Sequence, residues 1–289
     1  MVCRRGVFGL SRLATVAVVF VVLASTTAFA EEFRVAVMQD QKGAAEHFAP
    51  LEGYLAKHGV SIKLVPTESY SSAAHLFAEG KADGMFSGSG VAATMIMKDV
   101  AFPVVRPVRT DGISTYWAVV VAPEGGQPFT PEASYFKGKR VVYCALASSG
   151  QFFFRSIPGA LEAAAKTEIA PSHGAAIQAV ADGDADVAIV KNLVWNDLKN
   201  KYGQLESVGS DPGQNPNNTL ILAKQTAPAF TKKLTGALLM LENDLGPEAQ
   251  AARDGMGIKG YIVTSGADFS HTLGLLEKAG VDENFDFHY

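Results

Sequence analysis

The residues AEGKADGMF (78–86) and ADGDADVAIV (181–190) repeat one pattern, in which alanine, an acid, glycine, any residue, alanine and aspartate precede an apolar run. Each copy follows a stretch whose apolar residues have helical spacing. The glycines of the pattern, Gly80 and Gly183, suit the left-handed conformation in which many helices end. The pattern therefore predicts the same tight return from helix to strand at two places in the chain.

The aspartate that ends each copy, Asp83 or Asp186, would begin the strand. Short acidic side chains at such turns commonly accept hydrogen bonds from nearby backbone N–H groups. The alanine before it, Ala82 or Ala185, fits a place where helix and sheet pack closely. We therefore interpret the two carboxylates as structural hydrogen-bond acceptors and not as catalytic acids.

Short apolar runs alternate with helical patterns around both copies. FRVAVM (33–38) and SIKLVP (61–66) have the composition of strands, and the apolar residues of the helical stretch between them recur at helical spacing. The same order restarts at KRVVYCAL (139–146). Such alternation is typical of parallel, doubly wound sheets with helices on both faces. The predicted fold class is α/β, with two Rossmann-like lobes joined by two crossover hinges.

Two turn-rich breaks, APEGGQPFTPEAS (122–134) and GSDPGQNPNN (209–218), divide this alternation. The elements that close the chain have no obvious sheet of their own. We therefore expect the chain to cross back and complete the first lobe. The division predicts lobe 1 from residues 31–122 plus 218–289, lobe 2 from residues 123–217, and hinges near 122–126 and 209–217.

The first 30 residues have the three parts of a secretory signal peptide. Three arginines come first, an apolar run covers residues 13–24, and Ala28 and Ala30 form an A-x-A cleavage site. No later stretch approaches the roughly 18 apolar residues that a membrane-spanning helix requires. We expect cleavage near Glu31 and a mature protein that is located in the periplasm.

Charge and cysteine content narrow the function classes. Loss of three arginines from a chain of net charge −4 leaves about −7, and basic runs are absent, so neither a nucleic acid nor an anionic membrane is an expected partner. The mature chain keeps one cysteine, Cys144. Since a single thiol cannot form an internal disulfide, it is either a core residue or a residue exposed for chemistry, and burial is the commoner case.

Three stretches carry a resemblance to a known family: ESYSSAAHLFAEGKADGMFSGSG (68–90), ASSG (147–150) and SHGAAIQAVADGDADVAIV (172–190). They resemble the phosphate, phosphite and phosphonate substrate-binding proteins of ABC transporters, which have the type 2 periplasmic binding protein fold. The resemblance covers essentially the whole mature chain. It implies a monomer without a cofactor, whose lobes close over a small anion and present it to an ABC permease. A membrane sensor kinase is the alternative partner.

The ASSG turn lies between a strand and a helix, where backbone N–H groups and the helix dipole favour an anion. Ser148 and Ser149 add hydroxyl groups, and Gly150 lets the backbone approach a ligand closely. Ala147 stands where the family usually has a hydroxyl. An ordinary serine cap of the helix is the alternative interpretation. The resemblance also implies that His173, at the start of the next helix, donates to the bound oxyanion.

In lobe 1 the resemblance places Tyr70 in the cleft. It also assigns the turn after the third strand, Ser87, Gly88 and Ser89, to the ligand site. The tyrosine that family members usually have in the cleft just after that turn is absent here. Val91 lies near the corresponding position.

The remaining candidates are Lys191 and Asn192 at the end of the strand in lobe 2, and Asn217 with its neighbour Asn218 in the second break. Family members that bind aminophosphonates carry acidic residues that hold the ammonium group of the ligand. Lysine and asparagine disfavour such a zwitterion. We therefore expect a plain oxyanion as the ligand and not 2-aminoethylphosphonate.

A hydrolase is the competing class. Ser148 or Ser149 with His173 and an aspartate would supply the residue types of a catalytic triad, but no G-x-S-x-G turn precedes a helix. The six histidines are scattered without the spacing of metal ligands. Neither enzymatic activity nor a metal site is expected.

Cys144 lies just before the ASSG turn. A contact between its thiol and a soft species such as arsenite is therefore an open alternative to burial in the core.

Overall fold

The apolar runs of the chain form two larger β-sheets packed with helices, and a two-stranded ribbon links them. The computed structural model describes residues 1–2, 32–37, 44–67, 70–144 and 147–285. From residue 32 onward these form one compact unit, Glu32–Tyr289. The predicted signal peptide, residues 1–30, lies outside the described residues apart from its first two. In the part of the chain that the structure describes, no helix is long and apolar enough to cross a membrane.

The strands are β1 (Phe33–Val37), β2 (Ile62–Pro66), β3 (Gly84–Ser87), β4 (Ala101–Arg109), β5 (Thr115–Tyr116), β6 (Ala118–Pro123), β7 (Arg140–Cys144), β8 (Lys166–Ala170), β9 (Val187–Lys191), β10 (Leu205–Ser210), β11 (Asn215–Pro216), β12 (Thr219–Ala223) and β13 (Ile258–Val263). The α-helices are α1 (Ala49–Lys57), α2 (Tyr70–Ala78), α3 (Ser89–Met97), α4 (Ala133–Phe136), α5 (Ser149–Arg155), α6 (Ala160–Ala163), α7 (His173–Ala181), α8 (Asn192–Leu198), α9 (Pro228–Met240), α10 (Pro247–Met256) and α11 (Ser270–Lys278). Short 3₁₀ helices cover Ala44–Phe48, Lys199–Lys201 and Gly266–Phe269.

The two larger sheets share one arrangement. Their strand orders are β13-β4-β12-β3-β1-β2 and β10-β6-β9-β7-β8. The trios β2-β1-β3 and β8-β7-β9 are parallel, whereas β12 and β6 run antiparallel to both of their neighbours. The α/β class with two Rossmann-like lobes is therefore confirmed, but the prediction of parallel sheets is wrong because both sheets are mixed.

The antiparallel strands follow from where the chain enters each sheet. Ala118, the first residue of β6, pairs with Lys191, the last residue of β9. Thr219, the first residue of β12, pairs with Ser87, the last residue of β3. Both strands thus enter at the edge where the parallel strands end, and they must run away from it. Since each of them comes directly from the ribbon, this edge is the one that faces the other lobe.

The ribbon consists of β5 and β11, which pair antiparallel and bring the two crossovers side by side. The first hinge was predicted near residues 122–126, with β6 in lobe 1, and the pairing of β6 with β9 and β10 contradicts this. The Gly- and Pro-rich residues there form a turn inside the second sheet's lobe, in which the Gly126 N–H donates to the Pro123 carbonyl at 3.1 Å. We propose the boundary between the lobes at β5 and β11, the second of which lies within the predicted hinge 209–217.

One hydrophobic cluster extends across the boundary. It contains Met85 and Val91 from lobe 1, Phe152 and Ile189 from lobe 2, and Leu276 from α11. Two further clusters each stay within one lobe. The lobes are therefore in direct apolar contact in this structure.

The repeated pattern has the predicted geometry in both lobes. Gly80 and Gly183 have φ angles of 69° and 79°, the left-handed values that glycine adopts without strain. The residue after each glycine donates its N–H to the carbonyl five residues earlier, at 2.8 and 2.9 Å. This bond, with that of the glycine N–H itself, forms the Schellman motif that ends a helix.

The two aspartates make equivalent hydrogen bonds, which confirms their structural role. Asp83 Oδ2 accepts the N–H of Arg34 at 2.7 Å, and Asp186 Oδ2 accepts the N–H of Arg140 at 2.7 Å. Each aspartate thereby fixes the start of the strand that follows it against the neighbouring parallel strand, β1 for Asp83 and β7 for Asp186. The Arg140 guanidinium also donates to Asp186, at 2.8 Å from Nη2 to Oδ1, and this hydrogen bond lowers the pKa of the carboxyl.

We expect Asp186→Ala to lower the free energy of unfolding by about 1–2 kcal/mol. The change leaves the Arg140 N–H without its acceptor and removes an ion pair that is partly exposed to solvent. Because the pKa of Asp186 is lowered in the folded protein, its carboxylate stabilises the fold above the ordinary carboxyl pKa. That stabilisation is lost as the pH falls through the lowered pKa, so the difference from wild type should shrink in acid. Urea unfolding at neutral and acidic pH measures both effects.

Asp184→Ala is the matched control. Asp184 lies two positions before Asp186 and its side chain is exposed. Its replacement removes the same charge, so it should change the free energy of unfolding by less than about 0.5 kcal/mol. Equal losses of stability in the two variants would show that the charge explains the result, and not the hydrogen bond between Asp186 and the Arg140 N–H.

Candidate functional site

A small cavity lies where the parallel strands of both lobes end. Its volume is about 20 Å³, which is room for about one water molecule. The residues that line it come from both lobes and from the ribbon: Gly88, Val91, Tyr116, Ala147, Ser148, Ser149, His173, Lys191 and Asn218.

The 147–150 turn forms the lobe 2 side of the cavity. The Ser148 hydroxyl caps α5, since it accepts the Gln151 N–H at 3.2 Å and donates to the Cys144 carbonyl at 2.6 Å. The helix cap is thus the role of Ser148. Ser149 differs, because its Oγ is buried and has no hydrogen-bond partner among the residues that the structure describes. Such an orphan hydroxyl costs about 1–3 kcal/mol unless a partner reaches it.

Two backbone features let this turn reach the cavity. Ala147 has a φ of 54°, a left-handed value that is strained for a residue with a side chain, and its N–H donates to Gln151 Oε1 at 2.9 Å. Gly150 packs so closely that a Cβ there would lie 2.1 Å from the Ile189 carbonyl oxygen. Only glycine fits at that position without moving the strand.

His173 and Lys191 approach the cavity from α7 and β9. Ser172 caps α7 by accepting the Ala175 N–H at 3.1 Å, which places His173 in the first turn of the helix. The Lys191 N–H donates to His173 Nδ1 at 3.4 Å. In the neutral imidazole the proton is then on Nε2, so the ring has a donor on the side away from β9. The Lys191 ammonium lies 4.7 Å from the centroid of the Tyr116 ring.

The lobe 1 side is built by the turn after β3 and by the ribbon. The hydroxyl of Tyr116 is 2.6 Å from Ser89 Oγ and accepts the Ser89 N–H at 3.3 Å. Gly88 and Val91 lie on the cavity wall, whereas Ser89 lies behind the tyrosine. Ser87 Oγ donates to the Gly88 carbonyl at 3.2 Å.

The structure brings six of the residues predicted from sequence to the cavity wall: Gly88, Ala147, Ser148, Ser149, His173 and Lys191. The lining does not include Ser87, Ser89, Gly150, Asn192, Asn217 or Cys144. Asn192 instead accepts the Trp117 N–H through Oδ1 at 3.0 Å, and Cys144 is 1% exposed. The side chain of Tyr70 lies outside the described residues. Whether any of these residues contacts a ligand stays a prediction.

Sequence reasoning missed Tyr116, and of the two neighbouring asparagines that it named, Asn218 lines the cavity and Asn217 does not. Tyr116 reaches the cavity because β5 pairs with β11, whose residues are about a hundred positions further along the chain. No local motif indicates such a pairing. Asn218 has a φ of 41°, so the backbone turns sharply between the two asparagines and directs the second one to the cavity.

The electrostatic character of the site is that of an anion site. Helices α3, α5 and α7 begin at or beside the cavity, so the positive ends of their dipoles converge there. Lys191 adds a positive charge, and the described residues of the lining include no aspartate or glutamate. In the described part of the chain no group of histidine, cysteine and carboxylate side chains could hold a metal ion.

Comparisons with solved structures agree with this fold. PhnD1 from Prochlorococcus marinus in complex with methylphosphonate has a TM-score of 0.71 at 17% identity, over 86% of this chain and 98% of that chain. A binding protein component of an ABC phosphonate transporter from Pseudomonas aeruginosa has a TM-score of 0.67 at 15% identity, over 85% and 86%. A Xanthomonas citri protein bound to ATP has a TM-score of 0.69 at 14% identity, over 86% and 95%.

At such low identity these structures bear on the fold alone. No match was found among curated protein sequences. Residues 33–269 match the family described as "ABC transporter, phosphonate, periplasmic substrate-binding protein", which is most of the chain. The chain therefore belongs to the periplasmic substrate-binding proteins of phosphonate ABC transporters.

Proposed function

We propose that this protein captures a small tetrahedral oxyanion without an ammonium group and delivers it to an ABC permease from the periplasm. The observation that carries the proposal is the hydroxyl of Ser149, the first residue of α5, which is buried and has no partner in the described part of the chain. Together with the Lys191 ammonium and a lining whose described residues hold no carboxylate, it makes a site for a compact anion.

The lining residues divide into roles by their own hydrogen bonds. Ser148 is committed to the helix cap, so its neighbour Ser149 supplies the hydroxyl donor. His173, held by the Lys191 N–H at Nδ1, would donate from Nε2 to an oxygen of the ligand. Lys191 would neutralise the charge of the anion. The described lining offers a ligand ammonium no carboxylate as an acceptor, and Lys191 would repel it.

Binding would proceed by movement of the lobes about the ribbon. The cavity of about 20 Å³ is too small for a tetrahedral oxyanion to enter while the lobes are in contact. The lobes must therefore separate to admit the ligand, and contacts from both sides then favour closure. The closed, loaded form is the one that would be presented to the permease.

The geometry differs from that of a serine hydrolase. In a catalytic triad the histidine Nδ1–H donates to a carboxylate while Nε2 takes the proton of the serine. Here His173 Nδ1 accepts from a backbone N–H, and the Ser148 hydroxyl donates to a backbone carbonyl. Both groups are therefore set up to bind and not to transfer protons.

We expect the mature wild-type protein to bind phosphate, phosphite or methylphosphonate and to bind 2-aminoethylphosphonate much more weakly. A thermal-shift screen identifies the ligand, since saturation at a hundredfold Kd adds about 2.7 kcal/mol to stability. Calorimetric titration then measures the affinity. Tight binding of 2-aminoethylphosphonate with none of the three simple oxyanions would refute the proposal.

Ser149→Ala should weaken binding of the best of these oxyanions by about tenfold or more, because the donor lost is directed at a charged ligand. It should not lower the stability of the unliganded protein, since no hydrogen bond is lost with the hydroxyl. Ser156→Ala is the matched control at the other end of α5, where the hydroxyl donates to the Phe153 carbonyl at 2.7 Å. That variant should lose stability and keep its affinity, and the opposite pattern would exclude the assigned role of Ser149.

Gly90→Ala should keep the lobes apart. A Cβ at Gly90 in lobe 1 would lie 2.1 Å from the Ala147 carbonyl oxygen and 2.5 Å from the ring of Phe152 in lobe 2. The backbone oxygen cannot move aside without moving the turn that forms the site. We expect loss of ligand-induced compaction in small-angle scattering and affinity that is at least about tenfold lower.

Gly53→Ala provides the comparison for that variant. Its Cβ, on helix α1, would meet no atom within 4 Å, so compaction and affinity should match wild type. Wild-type affinity and compaction in Gly90→Ala would mean that binding does not require the contact between the lobes.

A further inference from the structure

Tyr116 contacts residues of both lobes. It lies in the ribbon that joins the lobes, its backbone pairs with Asn215, and its side chain lines the cavity at 4% exposure. Its hydroxyl contacts Ser89 in lobe 1, and its ring lies beneath the Lys191 ammonium of lobe 2. One side chain thus contacts the binding apparatus of both lobes.

The hydroxyl occupies the two donors of Ser89 at the start of α3. Ser89 is the first residue of this nine-residue helix, and Gly88 at the cap position has no side chain that could accept a hydrogen bond. The Ser89 N–H donates to the tyrosine oxygen at 3.3 Å, and the two hydroxyl oxygens are 2.6 Å apart. These are the groups that an oxyanion would otherwise use at a helix N-terminus.

The result is a cavity whose two sides differ chemically. On the lobe 2 side lie the Ser149 hydroxyl, His173 and Lys191, all suited to bind oxygens of an anion. On the lobe 1 side, the described residues Val91 and Tyr116 form a largely apolar wall, and the tyrosine hydroxyl covers the donors of Ser89, which does not line the cavity. Asn218, which is partly exposed, adds an amide to the lining.

A tetrahedral anion that directs three oxygens at lobe 2 must direct its fourth substituent at this wall. If that substituent is an oxygen, it loses its water and does not reach the Ser89 donors, which the tyrosine hydroxyl occupies, and this is unfavourable for a charged acceptor. If it is a hydrogen or a methyl group, it loses nothing by contact with an apolar surface.

We propose that Tyr116 is a specificity-determining residue: its hydroxyl occupies the Ser89 donors and so selects oxyanions with three oxygens and a non-accepting fourth substituent over those with four oxygens. This rests on the proposed function, because it concerns the selectivity of the same site. The ring positions the Lys191 ammonium, and the hydroxyl excludes the fourth oxygen.

Tyr116→Phe tests the proposal. The variant keeps the ring beneath Lys191 and uncovers the Ser89 N–H and hydroxyl. Calorimetric titration with methylphosphonate, phosphite, phosphate and sulfate gives the ratio of the affinities for three-oxygen and four-oxygen anions. We expect the preference for methylphosphonate over phosphate and over sulfate to fall by about tenfold in the variant, the value of one hydrogen bond to a charged acceptor.

Ser89→Ala is a second variant that removes the other partner of the same hydrogen bond and leaves the tyrosine O–H to turn toward the cavity. It should shift the ratio in the same direction, which keeps the test valid if Tyr116→Phe does not fold. Tyr135→Phe is the control, since Tyr135 is a buried tyrosine of the lobe 2 core outside the lining, and its ratio should equal that of wild type.

The outcomes separate this inference from the proposed function. Binding of oxyanions by wild type, with the same ratio in both cavity variants, would overturn the role of Tyr116 and leave the proposed function intact. Failure of wild type to bind any of the four anions would overturn the proposed function and this inference with it.

Discussion

The site depends on one close approach, that of helix α3 in lobe 1 to the 147–150 turn in lobe 2. Gly90 makes it possible, because a Cβ there would lie 2.1 Å from the Ala147 carbonyl oxygen. The approach brings the starts of α3 and α5 together, and it continues into the apolar cluster that contains Val91 and Phe152. Without it, the two helix N-termini would face solvent separately, where water weakens their fields. The closed arrangement thus supplies both the shape of the cavity and the low polarity that makes its few donors effective.

The polar groups around the cavity are almost all used by the architecture itself. Ser148 caps its helix, Asn192 fixes the start of β6 through the Trp117 N–H, and Tyr116 satisfies the start of α3. The Ser149 hydroxyl is the exception on the cavity wall, buried and without a partner in the described part of the chain. An unsatisfied group of this kind destabilises the empty closed form. Under the proposed function, the ligand removes that cost, so the same hydroxyl both binds the anion and couples binding to closure.

Prediction from sequence succeeded where the determinants are local. The Schellman turns at Gly80 and Gly183, the aspartate acceptors and the ASSG turn each depend on residues within a few positions of one another, and all are in place. It failed where the fold depends on distant pairing. The valine-rich run of β6 looks the same in either sheet, and only its contact with β9, about seventy residues later, assigns it to lobe 2. Tyr116 was missed for the same reason, since its place follows from the pairing of the two crossovers.

The repeated pattern starts equivalent strands whose ends are not equivalent. In lobe 1 the strand that follows the pattern, β3, ends at an uncharged turn, and a tyrosine covers the N–H and the hydroxyl of Ser89 in that turn. In lobe 2 the corresponding strand, β9, ends at Lys191, whose N–H also orients His173. The two lobes share one architecture, but the described lining carries charge and donors on the lobe 2 side and a largely apolar wall on the lobe 1 side. Under the proposed function, lobe 2 therefore binds the oxygens of the anion, and lobe 1 acts by shape when the lobes close.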